Sequence, residues 1–214
     1  MHVVITGASR GIGAALAVHY RSQGQDVTAT TRDVSGDVVL DVTKSGDHAA
    51  LASELKGRPV DLLVCNAGVY LDKGQALDTG YPVDMWASSF AANVTGVFQT
   101  VQHILPLLRA SKKPKIAIIS SQMASDTRAP GGSYIYRASK AAALNLGRNL
   151  AADLRGEGIA VGIYHPGWVQ TDMGGSSADI TVDQAAAGLI NRFEVLSVET
   201  TGCFETWDGQ AHPY

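Results

Sequence analysis

Short runs of β-branched and aliphatic residues alternate along the chain with longer stretches whose apolar positions recur every three or four residues. These two periodicities separate strand from helix. His2 to Thr6 is a first β-branched run that ends in a glycine loop. From Gly11 to Gly24 the spacing is helical, with Ile12, Ala15, Leu16 and Tyr20 on one side. Asp26 to Thr31 alternates as a second strand, and Val38-Val39-Leu40 is a third, very short one. Too few residues join these two for a crossover helix, so one side of the sheet is expected to be thinly covered there. The pattern then becomes regular. Helices are expected over His48–Lys56, Asp84–Leu108, within Ser133–Gly156 and over Thr181–Val195. Strands are expected over Val60–Cys65, Lys115–Ser120, Ile159–Tyr164 and, last, Thr201–Thr206. Thr181-x-x-Gln184 has the spacing of a capping box. Continuously apolar strands separated by helices imply a parallel sheet covered on both faces, a doubly wound α/β fold of the Rossmann type.

Length and composition narrow this picture. The 214 residues fit one α/β domain spanning 1–214, and 45% hydrophobic with 17% charged residues is an ordinary globular balance. A net charge of −3 gives no general basic field for nucleic acid. No apolar stretch is long enough to cross a bilayer. The N-terminus runs straight into strand and glycine loop, unlike a signal or transit peptide, so a cytoplasmic protein is expected. Cys65 and Cys203 are scattered and form no redox motif; the six histidines lack ligand spacing, so no metal site is expected.

Thr6-Gly7-Ala8-Ser9-Arg10-Gly11-Ile12-Gly13 closes the first strand and opens the first helix. Glycines in such a loop allow a tight turn and close approach of backbone to a pyrophosphate, which the free N–H groups of the helix start then hold. A Gly-rich turn without a ligand is the plain alternative. Farther on, Tyr136 and Lys140 stand four apart on a helix and share a face. Carbonyl reduction needs a proton donor beside the developing alkoxide, and a tyrosine hydroxyl can serve. A lysine ammonium at about 4 Å and an effective dielectric near 20 would favour tyrosinate by roughly 4 kcal/mol.

The Thr-Gly-x3-Gly-x-Gly spacing resembles the fingerprint of the short-chain dehydrogenase/reductase family, and further motifs recur in the family's order. Asp41-Val42, Asn66-Ala67-Gly68, Asn93, Ser120-Ser121, Tyr136-x-x-x-Lys140 and Pro166-Gly167-x-Val169-x-Thr171 all match. The stretches 136–142 and 165–175, with Trp207-Asp208-Gly209, are similar to the C-factor and Sniffer-type carbonyl reductases. The resemblance implies a catalytic set of Asn93, Ser121, Tyr136 and Lys140. Both Ser120 and Ser121 end the strand, and the second is the family's usual choice, with Ser125 a distant third. Tyr134 is a less suitably spaced alternative to Tyr136. Asn93 would help bind a water linking the lysine to solvent. The dinucleotide would be held by Gly7, Ser9, Arg10, Gly11, Ile12, Gly13, Arg32, Asp41, Val42, Asn66, Ala67, Gly68, Tyr136, Lys140, Pro166, Gly167, Val169 and Thr171.

The second strand carries the cofactor choice. NAD users typically end it with a carboxylate. Here uncharged Thr31 holds that position, Arg32 follows, and Arg10 lies in the glycine loop, so NADP(H) is expected over NAD(H), with Asp33 the counter-argument. The expected activity is hydride transfer between the nicotinamide and a small carbonyl or secondary alcohol. The alternative is a dinucleotide-binding signalling or regulatory protein without turnover. No Gly-x-Ser-x-Gly elbow points to hydrolysis. The segment Asp172 to Ile180, rich in Gly and Ser, is poor material for a lid helix. Apolar positions on the helices 84–108 and 136–154 spread wider than one sheet-facing stripe. A homodimer or homotetramer is expected from that.

Overall fold

Strand β1 (His2–Ile5) lies third from one edge of a seven-stranded sheet in a computed structural model that describes residues 1–214. Helix α1 (Gly11–Ser22) follows, then β2 (Asp26–Thr31), β3 (Val38–Val39), α2 (Ser45–Glu54) and β4 (Leu62–Cys65). The second half runs α3 (Val83–Phe90), α4 (Gly96–Arg109), β5 (Lys115–Ile119), α5 (Tyr134–Leu154), β6 (Ala160–His165), α6 (Val182–Val195) and β7 (Phe204–Thr206). The strand order is β3-β2-β1-β4-β5-β6-β7 and every pairing is parallel. The chain reverses direction across the sheet between β1 and β4, and a ligand crevice opens at such a point beyond the carboxyl ends of the strands.

The period-2 geometry of a strand sends successive residues to opposite layers. Val3 and Ile5 of β1 join Leu62 and Val64 of β4 and Ala117 and Ile119 of β5 beneath α1 and α6. Val4, Leu63, Cys65, Ile116 and Ile118 point the other way, to the apolar faces of α2, α4 and α5. Both faces of the sheet are covered, as the continuous apolar strands require. The expected thin spot is at β3, where six residues replace a crossover helix: Val38 packs toward α2 while Val39 is exposed.

Three elements depart from the sequence pattern. The single helix expected over Asp84–Leu108 is interrupted by a π turn at Ala91–Thr95, which separates α3 from α4. Apolar periodicity passes through unchanged, but side-chain contacts of Asn93 set the local winding. Strand β4 begins at Leu62 because the Val60 amide bonds to the Leu107 carbonyl instead of a neighbouring strand. Strand β7 begins only at Phe204, since Thr201 and Gly202 spend their polar groups on Val161. Helix α6 opens with the expected capping box, Thr181 and Gln184 exchanging both bonds. On α5, Gly147 lies so close to the sheet that a Cβ there would meet Ile163 at 2.6 Å and Ile118 at 3.1 Å.

Candidate active site

The glycine loop crosses from β1 to α1 over the loop that follows β4. Gly7 has φ +69, in the left-handed region, and a Cβ would come within 2.8 Å of the Ala67 Cα. At Gly13 a Cβ would meet the Gly7 carbonyl at 2.4 Å and Asn66 Nδ2 at 2.5 Å. Asn66 Nδ2 donates to the carbonyls of Thr6 and Gly7, both at 3.0 Å. The Thr6 hydroxyl accepts from the amides of Asn66 and Ala67 at 3.0 and 3.1 Å. Thr6, Gly7 and Asn66-Ala67 are therefore one lock, which fixes the backbone at the crevice. Arg10, at the N-cap of α1, makes no side-chain cap bond, so the first amides of the helix keep no internal partner.

A cleft of about 470 Å³ runs from this loop along the carboxyl ends of the strands. Of the expected dinucleotide residues, Gly7, Ser9, Arg10, Gly11, Ile12, Arg32, Asp41, Val42, Asn66, Ala67, Gly68, Tyr136, Lys140, Pro166 and Thr171 line it. Gly13, Gly167 and Val169 do not. Gly13 supports the loop from behind, Gly167 packs under Ile180 and Trp207, and Val169 is buried. At the far end, the Thr31 hydroxyl is folded into its own turn, donating to the Asp33 carbonyl at 2.6 Å and accepting from the Gly36 amide. The Asp33 carboxylate accepts from the Ser35 amide and hydroxyl, which hold it below the usual carboxylate range. It is thereby turned into the 33–35 loop. Asp41 is likewise held low, chiefly by the Thr43 amide. Arg32 is exposed at the cleft, whereas Arg10 pairs with Asp172 at 2.7 Å across its mouth.

Tyr136 and Lys140 lie on the buried first turns of α5, with Lys140 Nζ 5.7 Å from the tyrosine ring centre. The ammonium donates to the Ile119 carbonyl at 2.9 Å, and burial pushes it down to about 8. The tyrosine departs from the sequence expectation. Burial pushes its hydroxyl up to about 12; the Ser121 hydroxyl works against this, and Tyr70 and Asp72 add to it. Desolvation of the phenolate outweighs the attraction that the Tyr-x-x-x-Lys spacing suggested. Ser120 lines the cleft and its Oγ donates to the Lys140 carbonyl at 3.0 Å, anchoring α5, while Ser121, outside the lining, stands beside Tyr136 and its Oγ accepts from the Met123 amide at 3.1 Å. Ser125 is committed to the Tyr214 carbonyl, and Tyr134 is exposed against Tyr81, away from the cleft. Asn93 is buried in the π turn. Its Oδ1 accepts from the Val69 amide at 2.8 Å, and its Nδ2 donates to the Val69 carbonyl and Ser139 Oγ, both at 2.9 Å. With these bonds the side chain clamps a loop. A Cβ on Gly68 would sit 3.0 Å from Asn93 Oδ1 and 3.3 Å from Lys140 Nζ, so that glycine keeps the lysine's surroundings open.

Three residues that sequence reasoning passed over complete the site. The ring of Tyr70 stacks on Tyr136, centroids 4.2 Å apart at 21°, with its hydroxyl bonded to Ser133. Asp72, wholly buried, accepts from the amides of Ile135 and Tyr136. Met173 Sδ lies 3.9 Å from the Tyr136 hydroxyl, carried by a loop that Lys73 and Trp168 tie down at the carbonyls of Met173 and Gly174. That loop, 172–180, holds turns and no helix. None of the three has a local signal: Tyr70 and Asp72 sit in a polar loop, and their partners are more than sixty residues away.

A parallel sheet with a glycine loop at its reversal point, and a buried Tyr–Lys pair in the same cleft, defines a dinucleotide-dependent oxidoreductase. A model of the short chain dehydrogenase family matches residues 1–180, and the chain belongs to that family as one of its oxidoreductases. It is 34% identical to 1-hydroxy-2-glutathionyl-2-methyl-3-butene dehydrogenase of Rhodococcus sp. over 97% of this chain and 96% of that one. It is 36% identical to the C-signal protein of Myxococcus xanthus over 77% of this chain and 99% of that one. Among solved structures, the NADPH-bound carbonyl reductase from chicken fatty liver superposes with a TM-score of 0.91 at 30% identity, covering 100% and 98% of the two chains. Family membership implies a nicotinamide dinucleotide. The side-chain-free approaches at Gly7 and Gly13 and the uncapped start of α1 fit its pyrophosphate. No helix is long and apolar enough to cross a membrane.

Proposed function

We propose that this protein reduces small aldehydes or ketones with NADPH, Tyr136 giving the proton to the carbonyl oxygen. The observation that carries this reading is a buried tyrosine, held up to about 12, opening on the dinucleotide cleft at the carboxyl edge of the sheet. At neutral pH such a tyrosine keeps its proton, the form that reduction uses. The nicotinamide, when bound, supplies the hydride. Ser121, beside Tyr136, donates a hydrogen bond to the same carbonyl oxygen and stabilises charge that develops there. Lys140 remains mostly an ammonium below pH 8, and serves both as a charge behind Tyr136 and as a donor to the cofactor ribose. Asn93 holds the Val69 backbone in register with Ser139 of α5, which keeps the lysine's surroundings fixed. The enzymatic reading is favoured over a non-catalytic binder because the Ser, Tyr and Lys side chains converge on one place, which binding alone does not require. The test is consumption of NADPH with a panel of small carbonyls; no turnover with any of them would remove this reading.

Preference for NADP(H) rests on Arg32, exposed at the cleft, and on Asp33, whose carboxylate is tied into its own turn and so withdrawn from opposition. A charged hydrogen bond to phosphate contributes about 1.5–3 kcal/mol, tenfold or more in affinity. Arg32→Ala is expected to lower kcat/KM with NADPH by roughly that factor and to leave NADH nearly unchanged. Steady-state kinetics with both cofactors measure it, and an unchanged ratio would speak against the assignment.

A second copy of the chain is the proposed partner of the α3–α4 surface. Trp86 and Phe90 stack there half-buried, and Phe98 is exposed beside them on the same rod of helix. Light scattering at micromolar concentration should give a dimeric or tetrameric mass; a monomeric mass would refute this.

A further inference from the structure

Asp72 lies in the loop between β4 and α3, with no exposed surface. None of the five ion pairs of the structure includes it. Its Oδ2 accepts from the Ile135 amide at 2.8 Å, and the Tyr136 amide lies 3.2 and 3.3 Å from its two oxygens. These are orphan amides of the first turn of α5, a helix of 21 residues whose dipole favours an anion at that end. Ser133, at the N-cap position, does not fill the role: it sits at φ 49, makes no cap bond, and its hydroxyl is hydrogen-bonded to that of Tyr70. Elsewhere in this chain a neutral hydroxyl suffices, as Thr181 does for α6. A buried carboxylate is a costly cap by comparison, because its charge loses hydration. Its place directly under Tyr136 gives that charge a use.

We propose that Asp72 is a positioning residue for Tyr136: its carboxylate fixes where α5 begins and, by its charge, keeps the proton on the tyrosine hydroxyl. The proposal rests on Tyr136 being the proton donor. The groups around Tyr136 come from every neighbouring element: Lys140 from α5, Ser121 from the end of β5, Tyr70 stacked on its ring and Asp72 bonded to its amide from the loop after β4, and uncharged Met173 from the loop after β6. At the rim, Lys73 is bound to the Met173 carbonyl and Asp172 to Arg10. Burial raises the tyrosine most, Ser121 lowers it, and the charge of Asp72 adds a smaller upward push. Removing the carboxylate charge therefore makes the tyrosine easier to ionise.

Asp72→Asn keeps the shape and one acceptor while removing the charge. Asp72→Ser supplies a neutral cap of the kind α6 already uses. In both, NADPH affinity is expected to stay within about twofold of the parent, and kcat to fall about tenfold through loss of alignment. The alkaline limb of the pH profile should move about half to one pH unit lower, the size expected of one charge at several ångströms in a partly polar interior. A second readout needs no turnover: the tyrosinate absorbance that the parent has and Tyr136→Phe lacks should appear at lower pH in the Asp72→Asn and Asp72→Ser backgrounds. A purely structural cap would change kcat or stability but leave both titrations in place. Titrations unmoved in the two variants would overturn the proposal. Failure of the reduction itself shows only in the carbonyl assay, so the two failures are told apart.

Discussion

Replacing Tyr136 by phenylalanine is expected to reduce carbonyl turnover by about 10²- to 10⁴-fold, the usual contribution of a positioned proton donor. The variant keeps the ring that stacks at 4.2 Å on Tyr70 and both backbone bonds to Asp72. The loss is confined to one hydroxyl, whose hydrogen-bond partner is the Met173 sulfur at 3.9 Å. NADPH binding, followed by quenching of protein fluorescence, should therefore change little, and kcat should fall far more than KM rises. No other tyrosine can take over, because Tyr134 is turned outward to Tyr81 and the Tyr70 hydroxyl is hydrogen-bonded to that of Ser133. Turnover within tenfold of the parent would mean that the proton comes from elsewhere, with water or Ser121 the remaining sources.

The second large effect has two signs. Lys140→Met is expected to lower kcat/KM about a hundredfold or more, since both the charge behind Tyr136 and the donor to the cofactor ribose disappear. The same substitution is expected to stabilise the cofactor-free fold. Lys140 is buried, and its ammonium falls from 10.5 to about 8. A group whose proton is held less tightly in the folded state costs stability below its folded value. Between about pH 8 and 10.5 the unfolded chain binds the extra proton, so this residue makes unfolding harder as pH rises, and the cost is gone above that window. At pH 7 the whole cost is present. A methionine of similar length removes it, less the lost bond to the Ile119 carbonyl, for a net gain of about 1–3 kcal/mol. For a chain of this size that is a rise of several degrees in Tm. The difference between the two proteins should shrink from pH 8 upward in calorimetry. A methionine variant that melts lower than the parent at pH 7 would show that the lysine's hydrogen bond outweighs its desolvation.

The fold was legible because its evidence is local. Glycine spacing after β1, two-sided apolar strands and the Thr181 capping box are written within a few residues of where they act. The Tyr136–Lys140 pairing is of the same kind, since a spacing of four on a helix sets a shared face. The surroundings of Ser120 and Ser121 were not, because adjacent strand-end residues face opposite ways and only the packing of α5 shows that Ser120 bonds a backbone carbonyl. The direction of the tyrosine's displacement was not legible either. Counting charges by spacing gives the attraction to Lys140, but burial and Asp72 act through three-dimensional neighbours that no spacing reveals. The π turn at Ala91–Thr95 escaped for a similar reason: it follows from Asn93 gripping Val69, a contact between separate segments.

Gly147 places a constraint of another kind on this chain. It touches nothing that reacts, and stands about three turns, roughly 16 Å, along α5 from Tyr136. Yet it is where the helix is keyed into the sheet, its missing side chain admitting Ile163 and Ile118. With one end bonded to Asp72, the Lys140 carbonyl held by Ser120 and the middle seated at Gly147, α5 is fixed at three points along its length. A methyl group added at Gly147 has to displace Ile163 or the helix itself, a strain that reaches toward Lys140 two turns away. The tolerance of the active site to sequence drift is thus set partly at a residue that no inspection of the cleft would single out.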